Sequence, residues 1–439
     1  CMRSALAPPN KTVISLLIFH IIDCGPKYPG SPIIYKLYQD WNQSEILVLD
    51  KKVNLLYFTN ILNTEVKIQQ EICYLTYQSF PADTANSLQT ISNIKYLVKN
   101  GVDVELIFPL REKSSNASVN KIKEHYSIKE DFHVTGINHF LPFGRIKIFE
   151  SFFFHISHFL WSFFVVTFKI KKTDEKKFIT RSDWILYFLA RKGYKVLFEC
   201  HQTSKVRTFI INKSKNFQNV KFIFLNEHLQ NYYNINADNS QVLHNGVDTE
   251  MFSSSVSKLD NKREGLIFVG NLRRFNESRG IDFIIDAFKA SKFLQDHKLS
   301  IIGGPDQDAQ KLRVKIKELD LQESITVTGR LGRSEIGEVY ANSNIGILVN
   351  SSSNQHSYRY TSPLKYFEYL YMGLKVIGVD FPSHRALPRN NEINFFQEND
   401  VSSFETAVKQ ALEKKLPLDI DREDFSLDTR AKKIISFLQ

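Results

Sequence analysis

The stretch 361–379 constrains the fold more than any other part of the chain. Ser362 is a good N-cap, and Pro363 suits the first helical position, where its missing N–H costs nothing. Gly373 can adopt the left-handed conformation that ends a helix. The apolar run 376–379 is typical of a strand that is buried on both faces, as in a parallel sheet. The stretch therefore predicts a loop, a short helix and a buried parallel strand.

The start of this predicted helix suits an anionic ligand. The amides of Leu364 and Lys365 lack intrahelical acceptors, and helix amino ends attract phosphate groups. Glu368 lies four residues after Leu364 and three after Lys365, on the same helical face. A ligand with phosphates and a pair of sugar hydroxyls would meet the amides and the carboxylate together, as a nucleoside diphosphate requires. The alternative is a solvated charge on an ordinary helix, because helix-end anion sites are generic.

Alternating strands and helices predict an α/β protein, and 439 residues are enough to form two cores. A strand at 72–77, a helix at 85–99 and a strand at 102–108 form a βαβ unit, whose right-handed crossover makes the strands parallel. The alternation resumes at Gly265. The residues before 70, which include strand-like pieces at 45–50 and 53–59, are predicted to form an extension of unknown role.

Several candidate site residues follow predicted strands, at the edge where parallel sheets bind ligands. His201 ends the strand 194–200 and titrates near neutrality, which suits catalysis, although a structural histidine is the alternative. Glu199 alternates with His201, so both point to the same face. It could position the histidine or an acceptor, and a buried structural role fits equally well. Gly303 and Gly304 follow a strand where glycine permits close approach of a ligand.

Charge and cysteine content narrow the partners and the compartment. The net charge of +10 fits nucleic acid, an anionic membrane surface or phosphorylated substrates. Nucleic acid is the weakest of these because no helix-turn-helix, zinc-finger or RNP motif occurs, and we expect no nucleic-acid partner. The four cysteines form no close pair and no metal spacing, so they are predicted to be free thiols of a reducing compartment, the cytoplasm.

The phenylalanine-rich segment 146–168 raises the question of a membrane. Its length is marginal for a span, and polar residues such as His155 and His158 argue against one. We predict a helix buried against the sheet. The alternative is a helix on an anionic membrane surface, at the inner face of the membrane, because the basic run 169–172 follows.

The string SPLKYFEYLYMGLKVIG at 362–378 resembles the donor-site signature of the GT-B glycosyltransferases of the retaining, glycogen-synthase-like group, glycosyltransferase family 4. The HNGVD turn at 244–248 resembles that group's passage into its second domain. The resemblance covers about 70–439 and implies a GT-B fold, in which two Rossmann-like parallel-sheet domains face each other across a cleft. It implies an acceptor domain at 70–248, a nucleotide-sugar donor domain at 249–425, and a C-terminal helix at 426–439 that crosses back to the first domain.

The resemblance also implies roles for residues of this chain. Glu368 would bind the ribose hydroxyls, the amides before it would hold the diphosphate, and His201 would face the reacting sugar. Where the family often has two cations that neutralise the diphosphate, this chain has Asn271 and Arg279, and we expect Arg273 to replace the lost charge. Tyr360 stands where many members have a glutamate near the transferred sugar. The predicted site comprises the catalytic candidates His201 and Glu199 and the donor-binding residues Gly270, Arg273, Arg279, Gly303, Gly304, Tyr360, Ser362, Pro363, Leu364, Lys365 and Glu368.

The implied reaction is transfer of a sugar from a nucleotide-sugar donor to the hydroxyl of a carbohydrate or lipid-linked acceptor. The family implies retention at the anomeric carbon, no metal or other cofactor, and a place in polysaccharide or lipopolysaccharide synthesis. Two other classes remain open. One is another GT-B enzyme, such as a nucleotide-sugar epimerase or hydrolase. The other is a non-catalytic GT-B protein that binds a membrane or a partner, as Asn271, Tyr360 and the phenylalanine-rich segment would allow.

Overall fold

The computed structural model describes residues 47–49, 55–57, 70–139, 150–171, 176–257, 259, 262–274, 277–417 and 421–439. The chain divides into two compact units, Cys1–Ile68 and Gln69–Gln439. In the first unit, the described residues form two short antiparallel strands, Leu47–Leu49 and Leu55–Tyr57, inside the two predicted strand-like pieces. The rest of the predicted extension lies outside the described residues.

The unit Gln69–Gln439 contains two parallel sheets, which confirms the predicted α/β class. The first sheet comprises β1 (Glu71–Leu75), β2 (Asp103–Leu110), β3 (His133–Asn138), β4 (Lys177–Thr180), β5 (Lys195–Cys200), β6 (Val220–Phe224) and β7 (Ser240–Val242). The second comprises β8 (Leu266–Val269), β9 (Leu299–Ile302), β10 (Ile325–Thr328), β11 (Ile345–Leu348), β12 (Lys375–Val379) and β13 (Ile393–Phe396).

The two sheets share one strand order. The first sheet is ordered β3-β2-β1-β4-β5-β6-β7 and the second β10-β9-β8-β11-β12-β13. In each sheet the chain moves outward from a central strand and then returns to that strand's other side. Such a reversal separates the loops at the carboxyl ends of two neighbouring strands, and this opening is where open α/β sheets bind ligands. The topology therefore places one ligand crevice between β1 and β4 and another between β8 and β11.

Helices cover both sheets because their apolar residues recur at helical spacing. Those of the first domain are Ala85–Lys99, Val119–Tyr126, Glu150–Phe164, Asp183–Arg191, Lys205–Ser214 and Glu227–Tyr233. They are followed by Thr249–Val256, Ile281–Ala290, Lys292–Gln295, Asp306–Glu318, Arg333–Asn342, Leu364–Tyr371, Pro382–Arg385, Val401–Glu413 and Leu427–Leu438. A π-helical turn, Val165–Lys169, continues the helix Glu150–Phe164.

The stretch 361–379 folds as a loop, a helix and a buried strand, as predicted. The helix Leu364–Tyr371, called the site helix below, is followed by Gly373 at a φ of 63° and by β12, all of whose residues are buried. The helix begins one residue later than predicted, with Pro363 as its N-cap. Ser362 does not cap it, because the hydroxyl of Ser362 accepts a hydrogen bond from the backbone N–H of Asn245 at 3.3 Å instead.

The last helix returns to the first domain, as the fold class predicts. Leu427, Ala431, Ile434 and Leu438 are buried in the same core cluster as strands β1 and β2. The helix packs on Ala85–Lys99, the first helix of that domain. The last helix therefore completes the core that β1, β2 and the helix Ala85–Lys99 form.

Glu199 is fully buried on β5 and forms two ion pairs. Arg181 Nε lies 2.9 Å from Oε2, Arg430 Nη2 lies 2.8 Å from Oε1, and the Tyr74 hydroxyl donates to Oε2 at 2.9 Å. Burial alone would raise the pKa of the Glu199 carboxyl, but the charges of Arg181 and Arg430 outweigh it and hold the pKa well below its usual range. Because Arg430 belongs to the last helix, Glu199 has the buried structural role that the sequence left open.

We expect Arg430→Met to lower the free energy of unfolding by about 3 kcal/mol, because it leaves the Glu199 carboxylate buried without one of its two cations. Urea denaturation followed by circular dichroism at neutral pH measures the change. The matched control is Lys432→Met on the same helix, which removes an exposed ion pair with Asp428 and should leave the midpoint unchanged.

The same variant has a predicted pH dependence. The pKa of Glu199 is lower in the folded state, so its contribution to the free energy of unfolding is present above the pKa of an unfolded glutamate and is lost as the pH falls. The difference between wild type and Arg430→Met should therefore shrink in acid. Equal midpoints for the two proteins at neutral pH would contradict the role given to this ion pair.

Candidate functional site

A cavity of about 530 Å³ lies between the two sheet domains of the unit Gln69–Gln439. The first domain contributes the amino end of the helix Ala85–Lys99 and the residues that follow β5. The second domain contributes the ends of β8, β9 and β11 and the amino end of the site helix. The volume and the mixture of apolar wall and convergent polar groups are those of a small-molecule site. The cavity therefore lies at the carboxyl edges of both sheets, where the topology predicts ligands.

Two glycine turns form part of the wall, and their backbones pack directly against each other. Gly270 N–H donates to the Ile302 carbonyl at 2.9 Å, and Leu272 N–H donates to the Gly304 carbonyl at 2.9 Å. A Cβ atom on Gly303 would lie 1.7 Å from the carbonyl oxygen of Gly270. The predicted residues Gly270, Gly303 and Gly304 all line the cavity, and at Gly303 glycine is required because a side chain would collide with backbone.

Arg279 presents a fixed guanidinium to the cavity. Its Nε and Nη2 donate to Asn350 Oδ1 at 3.1 and 2.9 Å, and its Cζ lies 5.9 Å from the Phe268 ring centroid. Arg273 also lines the cavity, half exposed, with Nε 3.3 Å from Asp308. Both predicted cations therefore reach the same cavity, and the Arg279 guanidinium is held in place by a buried amide.

Arg330 is a further cation of the wall that the sequence analysis missed. Like the candidates predicted from the sequence, it follows a strand, here β10. Its side chain packs over Gly304, where an added Cβ would lie 2.8 Å from Nε. Lys365 adds a fourth cation at the amino end of the site helix. The cavity therefore attracts anions, because four positive side chains and a helix amino end converge on it.

The loop before the site helix is attached to the first domain. Asn245 Nδ2 donates to the Ser362 carbonyl at 2.6 Å, and Asn226 Nδ2 donates to the Thr361 carbonyl at 3.2 Å. The predicted residues Ser362, Pro363, Leu364 and Lys365 line the cavity just beyond these contacts. The polar side chains that fix this loop come from the ends of β6 and of the NGVD turn, so the first domain sets the position of the helix start.

Glu368 lies one turn behind the cavity wall. Its Oε2 accepts hydrogen bonds from Lys365 Nζ at 2.6 Å and from the Tyr340 hydroxyl at 2.7 Å. Burial and the Glu368 charge raise the pKa of Tyr340 well above its usual value, so the phenol stays a donor. No described residue hydrogen-bonds Glu368 Oε1, which is the oxygen that remains for a ligand. The predicted carboxylate is therefore near the cavity and contacts it through Lys365.

Tyr360 does not line the cavity. Its ring is buried in the core cluster of the first domain and lies 5.8 Å from the Tyr232 ring. Tyr360 therefore lies outside this cavity wall, because its ring bridges the two domains, and its contact with a transferred sugar stays a prediction. Glu199 is likewise absent from the wall, since its carboxylate is sealed among Arg181, Arg430 and Tyr74.

Three histidines, His201, His356 and His384, line the cavity. His201 lies in the wall as predicted, and no described residue hydrogen-bonds its Nε2. Burial and the charge of Arg181 lower the pKa of His201 well below its ordinary value, so the ring is neutral at pH 7. The sequence analysis missed His384, whose Nδ1 lies 2.8 Å from the Val379 carbonyl. A carbonyl only accepts, so Nδ1 carries the proton and Nε2, without a partner among the described residues, is an acceptor.

The environment of His384 keeps it neutral as well. Burial lowers the pKa of His384 to about 4, and the charge of Arg279 acts in the same direction. The cavity therefore combines four cations with the uncharged imidazoles of His201 and His384. Within the described ranges, no group of three or more His, Cys, Asp or Glu side chains is arranged to hold a metal ion. Independence from metal remains a prediction.

Comparison with known proteins relates this architecture to sugar-transferring enzymes. Residues 263–414 match the family model described as Glycosyl transferases group 1, and these residues contain the glycine turns, Arg279, Arg330 and the site helix. No curated protein matches the sequence. The family match therefore covers the second domain and is independent of the first.

Solved structures match both domains. The sucrose-phosphate synthase of Thermosynechococcus elongatus is 14% identical, with a TM-score of 0.59 over 84% of this chain and 98% of that chain. A glycosyltransferase of Rickettsia africae is 15% identical, with a TM-score of 0.59 over 84% and 98%. Anabaena HepE in complex with UDP and glucose is 13% identical, with a TM-score of 0.56 over 84% and 99%. These likenesses show that the unit has the GT-B fold.

We expect Gly303→Ala to destabilise the second domain and to weaken ligand binding, because its Cβ meets the Gly270 carbonyl and backbone must move. The matched control is Gly304→Ala, whose Cβ meets only the Arg330 side chain, which can rotate away. Thermal unfolding should show a drop of several degrees for Gly303→Ala and a smaller one for Gly304→Ala. The reverse order would contradict the packing described for these turns.

Proposed function

We propose that the chain is a glycosyltransferase that moves a sugar from a nucleotide-sugar donor to an acceptor hydroxyl. One observation carries the proposal: the glycine turns, four cations and the amino end of the site helix converge on a single cavity between the two domains. A nucleoside diphosphate sugar offers two phosphates to the cations and amides. The glycines leave room for such a ligand to approach the backbone closely. The match of residues 263–414 to group 1 glycosyl transferases supports the same assignment.

The donor is proposed to bind with its diphosphate near Arg279, Arg330 and Lys365. This position leaves the ribose next to the amino half of the site helix, where Glu368 Oε1 can accept a hydroxyl hydrogen bond. The Anabaena HepE structures contain UDP and UDP-glucose, which makes UDP the first nucleotide to test. The sugar then extends from the phosphates toward the first domain and His201.

In the proposed reaction, the bond between the anomeric carbon and the diphosphate oxygen breaks, and the acceptor hydroxyl oxygen forms the new bond to that carbon. Negative charge develops on the leaving diphosphate, which takes the hydroxyl proton. Arg279, Arg330, Lys365 and the helix amides would stabilise that charge. Arg279 would do so without moving, because Asn350 already fixes its guanidinium. His201 would orient the sugar through its Nε2. We propose retention at the anomeric carbon and independence from metal on the strength of the family resemblance.

The acceptor is proposed to enter from the first domain, as a carbohydrate or a lipid-linked saccharide destined for a cell-surface polysaccharide or lipopolysaccharide. The cysteine pattern supports a cytoplasmic reaction, and Cys73 and Cys200 are buried free thiols. An epimerase or hydrolase with the same fold would consume the donor without an acceptor-linked product. Chromatography of labelled sugar after incubation with and without candidate acceptors distinguishes these reactions from transfer.

We expect UDP to raise the melting temperature of the protein more than GDP, ADP or CMP, because a ligand that binds only the folded state stabilises it. Differential scanning fluorimetry across the four nucleotides measures the order. Uridine without phosphates serves as the control and should produce little shift, since it cannot use the cations. No shift with any of the diphosphates would contradict the proposed donor site.

We expect Glu368→Gln to weaken the binding of the preferred nucleotide about tenfold, because a charged acceptor for the ribose hydroxyls becomes neutral. Isothermal titration calorimetry measures the affinity. The substitution keeps an oxygen for the Tyr340 hydroxyl, so the melting temperature without ligand should change little. The control is Glu318→Gln, which alters an exposed carboxylate at the end of another helix of the same domain. Unchanged affinity in Glu368→Gln would place the ribose elsewhere.

A further inference from the structure

One helix carries most of the exposed apolar surface of the described residues. The stretch Glu150–Lys169, called the aromatic helix below, is long and apolar enough to cross a membrane by length and composition. Seven of the ten large hydrophobic side chains that the described residues expose belong to it. The spacing of these seven corresponds to one face of a helix. They are Phe152, Ile156, Phe159, Leu160, Phe163, Phe164 and Phe168.

The opposite face of the aromatic helix is part of the protein core. Trp161, Val165 and Val166 are buried in the cluster that also contains residues of β1, β4 and β5. The ring of His158 on the same side stacks on Tyr77 with a centroid distance of 4.4 Å. A helix anchored in this way lies flat on its domain, because crossing a bilayer would require breaking these contacts. A partner or a membrane surface can therefore contact its outward face only by lying along the surface of the domain.

The neighbouring helix Asp183–Arg191 extends the apolar surface with aromatic rings. Phe159 contacts Trp184 and Phe188 at centroid distances of 4.9 and 5.2 Å, and Phe163 contacts Phe188 at 5.5 Å. Trp184, Tyr187 and Phe188 are each half-buried. Tryptophan and tyrosine favour the boundary between lipid and water, because their rings are apolar and their edges are polar.

Four cations lie at the carboxyl ends of the two helices. Lys169, Lys171, Arg191 and Lys192 are exposed within or next to the two helices. Two of them lie over rings of the same surface: Lys169 is 5.5 Å from the Phe164 centroid, and Arg191 is 4.5 Å from the Tyr187 centroid.

The described residues of these two helices include few acidic groups. The described acids of these helices are Glu150, which is exposed, and Asp183, which forms an ion pair with Arg207 at 2.6 Å. The surface is therefore apolar at its centre and positively charged at its edge.

We propose that this surface docks the protein on an anionic lipid bilayer, with the aromatic helix lying in the interface parallel to the membrane. Apolar side chains would enter the boundary between headgroups and acyl chains, while the lysine and arginine side chains would contact anionic headgroups. The proposal does not depend on sugar transfer, and its test does not measure that activity. The sequence analysis predicted a helix buried against the sheet and gave a helix on a membrane surface as the alternative. The proposal favours that alternative.

The test measures binding of the full-length protein to lipid vesicles by cosedimentation. Vesicles of phosphatidylcholine alone are compared with equimolar phosphatidylcholine and phosphatidylglycerol. We expect strong binding to the anionic vesicles and weak binding to the neutral ones. Added salt should reduce the difference between the two lipids, since salt screens the cations. Absence of binding to the anionic vesicles would overturn the proposal.

Two sets of variants separate the apolar and charged contributions. Phe152→Ser combined with Phe168→Ser, which alters the two most exposed rings, should lower binding to anionic vesicles at least tenfold. Lys169→Gln combined with Lys171→Gln should lower it several-fold and weaken its salt dependence, because two of the four cations are lost. The control is Val314→Ser, an exposed apolar residue on a helix of the second domain, which should bind like wild type.

Two further measurements distinguish other occupants of the same surface. Analytical ultracentrifugation that shows a dimer in wild type and a monomer in the double Phe variant would assign the surface to a second copy, and would overturn the proposal. Resistance of the membrane-bound protein to alkaline carbonate extraction would indicate a spanning helix and would also overturn it. Unchanged melting temperatures in all variants, expected because the altered side chains are exposed, show that folding is not the cause of lost binding.

Discussion

A buried carboxylate between two guanidinium groups connects the ends of this architecture. Glu199 lies on a central strand of the first sheet, Arg181 follows the neighbouring strand, and Arg430 comes from the last helix of the chain. An unpaired charge at this position would cost far more than a single hydrogen bond, so the last helix must return to the first domain for the fold to be stable. The backbone of Val247 also hydrogen-bonds Phe425 and Leu427, so the start of the last helix lies beside the turn that follows the first sheet.

The cavity depends on polar contacts that hold its loops from behind. Asn245 and Asn226 of the first domain hold the backbone just before the site helix, and Asn350 of the second domain holds the guanidinium of Arg279. Each of these amides is buried, and each replaces water that an open loop would otherwise recruit. The groups that would meet a diphosphate are therefore positioned before a ligand arrives. Electrostatic stabilisation of a leaving group works best in such a site, because little reorganisation accompanies the reaction.

Local patterns predicted the elements, and long-range contacts decided the roles of individual side chains. Helical and strand periodicity, with glycine at turns, predicted the site helix, β12 and the turns at Gly270 and Gly303, because each depends on neighbours in sequence. The roles of Glu199 and Ser362 depend on partners 231 and 117 residues away, Arg430 and Asn245. Hydrophobic periodicity cannot indicate a partner that is so distant in sequence. A serine two residues before a helix predicts a cap, yet here a distant backbone amide competes for the same hydroxyl.

Tyr360 has a consequence for how the two sheet domains could move. The ring comes from the second domain, immediately before the cavity-facing end of the site helix, and it is inserted in the apolar core of the first. A hinge motion that separated the domains would have to withdraw this ring into water and pull on the helix start at the same time. Under the proposed function, release of the donor and widening of the acceptor entrance would therefore be coupled through this one side chain.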